Sequence, residues 1–289
     1  MNARGNQQPN EAAIHRFSQL DVFTAEPLRG NPLAVVHDAD DIAEARLPAF
    51  ANWTNLSETS FLLRPTDPAA DYRVRIFTPA AELAFAGHPT LGSCAAWLRA
   101  GGQPRNPQEI VQQCGVGLVR VRRDGERLAF AAPPVRMAAA THDEVARVCH
   151  ALGLAHRHVR ASHWTDNGTR WMVLLLGDAA TVLGVEPDHA ALRTLAKVGL
   201  VGPQPAGADS QFEVRAFVDP AGIPEDPVTG SLNAMLAQWL MHIGTAPMRY
   251  VASQGTRLGR AGRVHVAREG EETWIGGDVT SCIEGQVRL

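Results

Sequence analysis

Apolar and polar residues alternate along much of the chain, which is the pattern of β-strands that bury one face. Residues 73–77 and 213–217 both alternate in this way. Similar runs at residues 117–122 and 263–267 are each followed closely by an acidic residue and a glycine, and this combination predicts antiparallel hairpins. Outside two helical stretches, the chain is therefore predicted to consist mostly of strands.

The two exceptions have the period of an amphipathic helix. Apolar residues recur at helical spacing in residues 91–98 and, more strongly, in residues 232–243. Glycines at 101–102 and at 244 supply a stop for each helix. Each half of the chain is therefore predicted to contain one apolar helix.

The segments before the two helices resemble each other. Gly-His-Pro-Thr-Leu-Gly-Ser at residues 87–93 corresponds to Glu-Asp-Pro-Val-Thr-Gly-Ser at residues 225–231, so His88 aligns with Asp226 at a separation of 138 residues. The alternating strands before them repeat at a separation of 140 residues. One period near half of a 289-residue chain predicts a duplicated α+β fold with two pseudo-symmetric halves, each a mostly antiparallel sheet with one helix.

This repeat predicts the domain organisation. Residues 1–16 are polar and are predicted to form a flexible tail, residues 17–133 form the first half, and residues 134–277 form the second half. Residues 278–289 form a C-terminal segment, for which a return to the first half is one option. Functional residues are expected at the interface between the halves.

Composition excludes several classes of protein. Hydrophobic residues make up 45% of the chain and charged residues 20%, as in ordinary globular proteins. A formal net charge of −3 with scattered arginines gives no basis for binding nucleic acid, and no apolar run is long enough to span a membrane. A small-molecule ligand is therefore favoured.

No cofactor or metal is predicted. The four cysteines are widely spaced and form no zinc motif, so we interpret them as reduced thiols of a cytoplasmic protein. Lys197, the only lysine, is placed at a predicted helix end with no phosphate-binding glycine loop beside it. This context argues against pyridoxal phosphate chemistry.

His88 and Asp226 are the first candidates for chemistry. Each has an ordinary structural alternative, since His88 could be a hydrogen-bonded histidine beside a turn and Asp226 an N-cap. Their alignment in the repeat places two different ionisable groups at corresponding positions, which favours complementary roles in one site. Unpaired backbone N–H groups at the helix starts would favour a carboxylate ligand there.

Glu58 is a candidate because its surroundings do not suit a helix cap. Residues 55–58 read Asn-Leu-Ser-Glu, like a capping box, but the pattern that follows is a strand that ends before Pro65. Ser231 with His88 and Asp226 suggests a hydrolytic triad, yet there is no GxSxG motif and Ser231 follows Asp226 by only five residues. A hydrolase is therefore disfavoured.

Taken together, the motifs of this sequence resemble the phenazine-biosynthesis PhzF family. The resemblance extends from about Phe17 to the C-terminus and keeps the order and spacing of the family. The segments that carry it are Asp-Val-Phe-Thr at 21–24, Gly-Asn-Pro-Leu-Ala-Val-Val at 30–36, Asn-Leu-Ser-Glu-Thr at 55–59, Phe-Ala-Gly-His-Pro-Thr at 85–90 and Glu-Asp-Pro-Val-Thr-Gly-Ser at 225–231.

The resemblance implies a diaminopimelate-epimerase-like fold and a homodimer. It also implies an isomerase in which Glu58 is the general acid and base that moves a proton along trans-2,3-dihydro-3-hydroxyanthranilate without a cofactor. By the same resemblance, His88, Asp226 and Ser231 assist by hydrogen bonding, and backbone groups of Gly87 and Gly230 hold the substrate.

Departures from the family pattern at Ala84 and at residues 259–262 leave the substrate open beyond a small carboxylated metabolite. One alternative is a racemase or epimerase in which His88 or Asp226 is a second base, although the thiol pair of diaminopimelate epimerases is absent. Another alternative is a metabolite-binding protein that is not catalytic.

Overall fold

The computed structural model describes residues 13–218 and 224–289. Within them the chain forms strands that make one continuous, strongly curved sheet system, with two central helices. The helices are α1 (Arg46–Thr54), α2 (Gly87–Arg99), α3 (His142–Ala151), α4 (Ala179–Gly184), α5 (His189–Leu192) and α6 (Gly230–His242).

The strands of the first half surround α2, and β17 joins them from the C-terminus. They are β1 (Ile14–Val22), β2 (Asn31–Val36), β3 (Glu58–Leu63), β4 (Tyr72–Phe77), β5 (Glu82–Leu83), β6 (Glu109–Cys114), β7 (Gly117–Asp124), β8 (Arg127–Ala131) and β17 (Val279–Arg288). In spatial order these strands run β17–β1–β2–β3–β4–β6–β7–β8. Two of the seven pairings, β2 with β3 and β4 with β6, are parallel, and the other five are antiparallel.

The second half repeats this pairing around α6. Its strands are β9 (Arg136–Ala139), β10 (Val159–Asp166), β11 (Arg170–Leu176), β12 (Lys197–Pro203), β13 (Phe212–Phe217), β14 (Arg249–Gln254), β15 (Gly262–Glu269) and β16 (Glu272–Gly277). From β9 to β16 the same seven senses follow in the same order. The strand β17 thus occupies in the first half the place that β9 occupies in the second, and β8 pairs with β16 across the interface.

Local sequence explains many of these elements. Gly125 and Gly270 have left-handed φ values of 64° and 60°, which the tight turns of the hairpins β7–β8 and β15–β16 require. Gly101 and Gly244 have φ values of 95° and 70° just beyond α2 and α6, so both predicted helix stops are confirmed.

Some expectations are wrong. The predicted tail, residues 1–16, lies largely outside the described residues, but residues 14–16 belong to β1 because they pair with β17. Lys197 begins β12 instead of ending a helix, since the apolar residues after it are buried between β11 and β13. The outer helices α1, α3, α4 and α5 were not predicted, although Thr141 and Glu144 form a capping box that starts α3.

The alignment of His88 with Asp226 is also wrong. The two central helices begin at Gly87 and Gly230, so their structural separation is 143 residues, and Ser231 is the counterpart of His88. The reason is that the connection from β13 to α6 is longer than the connection from β4 to α2. Asp226 therefore lies in the turn before α6, whereas His88 lies inside α2.

The main hydrophobic core is shared by the halves. It contains Leu91 and Cys94 of α2 together with Leu232 and Met235 of α6. A second cluster lies under the outer helices of the second half, and a third lies under α1. The N-terminal ends of α2 and α6 meet at the centre of the molecule, and this meeting point positions the site.

Candidate active site

The starts of α2 and α6 are in backbone contact. A Cβ added to Gly87 would lie 2.8 Å from the Cα of Gly230, and a Cβ added to Gly230 would lie 3.0 Å from the Cα of Gly87. Neither Ala86 nor Thr229, the N-cap residues, makes a side-chain cap hydrogen bond. The first-turn N–H groups of both helices therefore converge where no capping side chain uses them, which is an arrangement that favours an anion.

Glu58 reaches this point from β3, of which it is the first residue. Asn55 ends α1 in the left-handed conformation (φ 55°), so the capping-box alternative for residues 55–58 is excluded. The Oε2 atom of Glu58 lies 3.4 Å from Nε2 of His88, and neither atom has a hydrogen-bond partner among the described residues. Both side chains are largely buried, with 16% of Glu58 and 4% of His88 exposed.

Asn31 links the halves, although the sequence patterns predict no role for it. Its amide nitrogen donates to Oδ1 of Asp226 (2.8 Å) and to the carbonyl of Val228 (2.9 Å), and it lies 3.3 Å from Nδ1 of His88. Its carbonyl oxygen accepts a hydrogen bond from the Ser57 hydroxyl at 3.2 Å. Because the amide has two hydrogens, the two shorter contacts account for both. The only signal was the Gly-Asn-Pro motif at residues 30–32.

Asp226 is held from several sides. Its Oδ2 accepts a hydrogen bond from the Thr229 hydroxyl at 2.5 Å, and its carbonyl oxygen accepts one from Gln254 at 3.1 Å. The neighbouring Glu225 forms an ion pair with Arg215 at 2.9 Å, in which both side chains are less than 9% exposed. These contacts fix the turn before α6 and aim the Asp226 carboxylate at Asn31.

Ser231 is placed near this cluster without joining it. It is the second residue of α6, and its backbone carbonyl accepts a hydrogen bond from Asn167 at 3.2 Å. In the described part of the chain, no hydrogen bond connects the Ser231 hydroxyl to Glu58, His88 or Asp226. The structure therefore places Glu58 beside His88, and Asn31 lies between His88 and Asp226, while the Ser231 hydroxyl makes no hydrogen bond to these three side chains.

Burial sets the protonation states of the cluster. It raises the pKa of Glu58 to about 8, with the Asp226 charge as a second cause. It lowers the pKa of His88 to about 3, so the imidazole is neutral. Burial also raises the pKa of Asp226 to about 6, although the hydrogen bonds from Thr229 and Asn31 oppose this shift. Near neutral pH, Glu58 thus carries a proton that it can exchange, while Asp226 is ionised.

Within residues 13–218 and 224–289, no group of three or more His, Cys, Asp or Glu side chains is arranged to hold a metal ion. In the same residues no helix is long and apolar enough to cross a membrane. A cavity of about 400 Å³ beside Phe50, Trp53 and Leu289 contains none of the titratable groups discussed above.

The sequence matches known proteins over nearly its whole length. Residues 20–285 match the family model described as phenazine biosynthesis-like protein. Antisense-enhancing sequence 1 of Schizosaccharomyces pombe is 35% identical, over 94% of this chain and 98% of that protein. Trans-2,3-dihydro-3-hydroxyanthranilate isomerase of Pseudomonas aeruginosa is 33% identical, over 89% of this chain and 91% of that protein.

Solved structures show the same fold. A PhzF family protein from Bacillus anthracis superimposes with a TM-score of 0.83 at 21% identity, over 96% of this chain and 100% of that chain. A hydroxyproline epimerase from Agrobacterium vitis gives 0.61 at 14% identity, over 96% of this chain and 93% of that one. The predicted α+β, epimerase-like architecture is therefore confirmed. The chain belongs to the phenazine biosynthesis-like family, and the prediction that it is an isomerase of the PhzF type is confirmed.

Proposed function

We propose that the protein is a cofactor-independent isomerase that moves a proton within a small carboxylated metabolite, with Glu58 as general acid and base. The observation that carries this proposal is the Glu58 carboxyl, which is buried beside His88 with Oε2 lacking a hydrogen-bond partner among the described residues. A pKa raised to about 8 suits a group that both accepts and returns a proton near neutral pH.

In the proposed step, the ionised fraction of Glu58, which is the minor form near neutral pH, takes a proton from one carbon of the substrate. The electron pair of the broken C–H bond shifts into an adjacent double-bond system, and protonated Glu58 then gives the proton to another carbon of the same molecule. Atoms and charge balance without an added reactant. Neutral His88 and the Ser231 hydroxyl hydrogen-bond to the ligand, Asp226 stays ionised, and the first-turn N–H groups at Gly87 and Gly230 bind the substrate carboxylate.

The relatives support a carboxylated substrate. The Pseudomonas aeruginosa relative is named for trans-2,3-dihydro-3-hydroxyanthranilate, an amino-substituted ring carboxylic acid. Two converging helix starts suit such a carboxylate. We therefore propose this acid, or a close analogue, as the first substrate to assay.

Substitution of Glu58 tests the mechanism. We expect Glu58→Gln to reduce turnover by about 100-fold or more, since general acid–base catalysis contributes roughly that factor. The measurement is product formation from trans-2,3-dihydro-3-hydroxyanthranilate by absorbance and mass spectrometry. Glu44→Gln is the matched control, because Glu44 is 76% exposed in a surface pair with Arg75. Full activity of the Glu58 variant would contradict the proposal.

The same assay distinguishes the alternatives. Inversion at carbon with hydrogen exchange from deuterated solvent, and no movement of a double bond, would indicate a racemase or epimerase. Binding of the acid without any product would indicate a metabolite-binding protein. A homodimer also stays a prediction, which sedimentation of the full chain tests.

A further inference from the structure

The repeated topology identifies a second-half counterpart of Glu58. Glu58 is the first residue of β3 and pairs with Leu33 of β2, and Lys197 is the first residue of β12 and pairs with Trp171 of β11. The strands β2–β3 and β11–β12 occupy the same place in the two halves and are both parallel. The single lysine of the protein therefore stands where the other half carries its buried carboxyl.

The side chain of Lys197 points toward the start of α6. Alternate residues of a strand face the same side, so Lys197 shares a face with Gly199. A Cβ added to Gly199 would lie 2.5 Å from the side chain of Leu232, in the first turn of α6. Trp171, which pairs with Lys197, belongs to the core that surrounds α6. Lys197 thus lies on the inner face of the sheet, at the end that holds the site.

Electrostatics agree with this placement. The Lys197 charge lowers the pKa of both Glu58 and Asp226, so its ammonium lies within electrostatic reach of both carboxyls. Burial lowers the pKa of Lys197 itself, and the two carboxyls oppose that effect. Asn167, in the turn next to β11, also hydrogen-bonds the carbonyl of Ser231 and ties this end of the sheet to α6.

The ammonium has no anion in contact with it. Among the described residues, no ion pair within 4.0 Å and no hydrogen bond involves Lys197, and the indole ring of Trp171 lies 6.0 Å from its Nζ atom. Asp226 is already occupied by Thr229 and Asn31. A partly buried cation with unused donors, facing a site from the side opposite the acid–base residue, is suited to an anionic ligand group.

We propose that Lys197 binds an anionic oxygen of the substrate from the second half, opposite Glu58, and so makes the site selective for acids. This inference rests on the proposed function, because it assumes that the ligand lies between Glu58 and the start of α6. One half supplies the group that exchanges the proton, and the other half supplies the cation that orients the molecule. The two equivalent positions thus carry a carboxyl in one half and an ammonium in the other.

Binding of an acid and its matched amide tests the proposal. The probes are 3-hydroxyanthranilate and 3-hydroxyanthranilamide, with dissociation constants measured by calorimetry on the full chain. We expect the wild type to prefer the acid, and Lys197→Gln to weaken acid binding by about 10- to 100-fold, the range of a charge-assisted hydrogen bond, with amide binding unchanged. Lys197→Arg should restore part of the acid binding, since it keeps the charge.

Arg170→Gln is the control, because Arg170 is an exposed cation on the neighbouring strand that lies over Trp164. It should leave both dissociation constants unchanged. The proposal would be overturned if the wild type did not prefer the acid, or if Lys197→Gln weakened acid and amide binding equally. A loss of kcat at unchanged KM, measured well above the pH midpoint of activity, would also overturn it, because that result would indicate a proton-transfer role.

A second readout separates this inference from the proposed function. Removal of the Lys197 charge should shift the pH midpoint of activity upward, because that charge lowers the pKa of Glu58. If Glu58→Gln kept full turnover while Lys197→Gln lost acid binding, the catalytic proposal would fail and the binding proposal would stand. If Glu58→Gln lost turnover and Lys197→Gln bound acid normally, the reverse would hold.

Discussion

At the scale of single residues, the site is defined by groups whose protonation differs from that in water. Glu58, His88 and Asp226 lie at the interface, where burial raises the pKa of the two carboxyls and lowers the pKa of the imidazole, because it disfavours whichever form is charged. Asp226 keeps a lower pKa than Glu58 because it accepts hydrogen bonds from Thr229 and Asn31. The result is one proton-carrying carboxyl beside one ionised carboxylate.

The raised pKa of Glu58 predicts the pH dependence of activity. As a base, Glu58 must be ionised, so kcat/KM should rise about tenfold per pH unit below pH 8 and level off above it. His88, neutral throughout this range, should add no step near its usual pKa. The measurement is kcat/KM between pH 6 and 10 with trans-2,3-dihydro-3-hydroxyanthranilate. A kcat/KM that stays constant from pH 6 to pH 10 would contradict the assignment.

At the scale of secondary structure, function depends on how closely α2 and α6 approach each other. Gly87 and Gly230 allow backbone contact at the pseudo-symmetry axis, and any side chain there would separate the helices. Separation would move His88 away from Asn31 and Asp226, since each belongs to a different element. The glycines are therefore required by the contact and not by an unusual φ value.

Substitution of Gly87 tests this close approach. We expect Gly87→Ala to destabilise the protein by about 1–3 kcal/mol, as overpacked cores do, because the added Cβ would lie 2.8 Å from backbone of Gly230. Denaturant unfolding measures the change. Gly184→Ala is the control, since Gly184 ends α4 with no atom within 4 Å of an added Cβ. Equal stability of both variants and the wild type would refute the steric argument.

At the scale of the whole molecule, the two halves are consecutive parts of one chain and share one hydrophobic core. Residues of α2 and α6 belong to the same hydrophobic cluster, and β8 pairs with β16 across the interface. The C-terminal strand β17 pairs along β1, so the first half is completed by the last residues of the chain. The halves are thus symmetric in topology but dependent on each other for burial.

Separate expression of the halves tests this dependence. We expect fragments 13–133 and 134–289 each to lack a cooperative thermal transition, because each exposes its share of the common core and the first lacks β17. The full chain should unfold in one transition, measured by calorimetry and circular dichroism. As a control, the two fragments are mixed, to test whether together they recover the cooperative transition of the full chain. A sharp transition in either fragment alone would contradict the prediction.

The sequence by itself determined the duplication, the two central helices, the hairpins and the choice of Glu58, His88 and Asp226. These features depend on local periodicity and on short motifs, and both are properties of residues close together in the sequence. The sequence did not determine the outer helices, whose apolar faces are short, or the true equivalence of His88 with Ser231.

Only the tertiary structure decided which contacts connect the residues of the site. Asn31, Lys197 and Asp226 are far apart in sequence, and their relation depends on strand pairing and on the contact of two helix starts. Protonation was likewise decided by burial, which is a property of the folded molecule and not of any local segment. The sequence specifies which chemical groups are present, and the packing of the two halves determines their contacts and their protonation states.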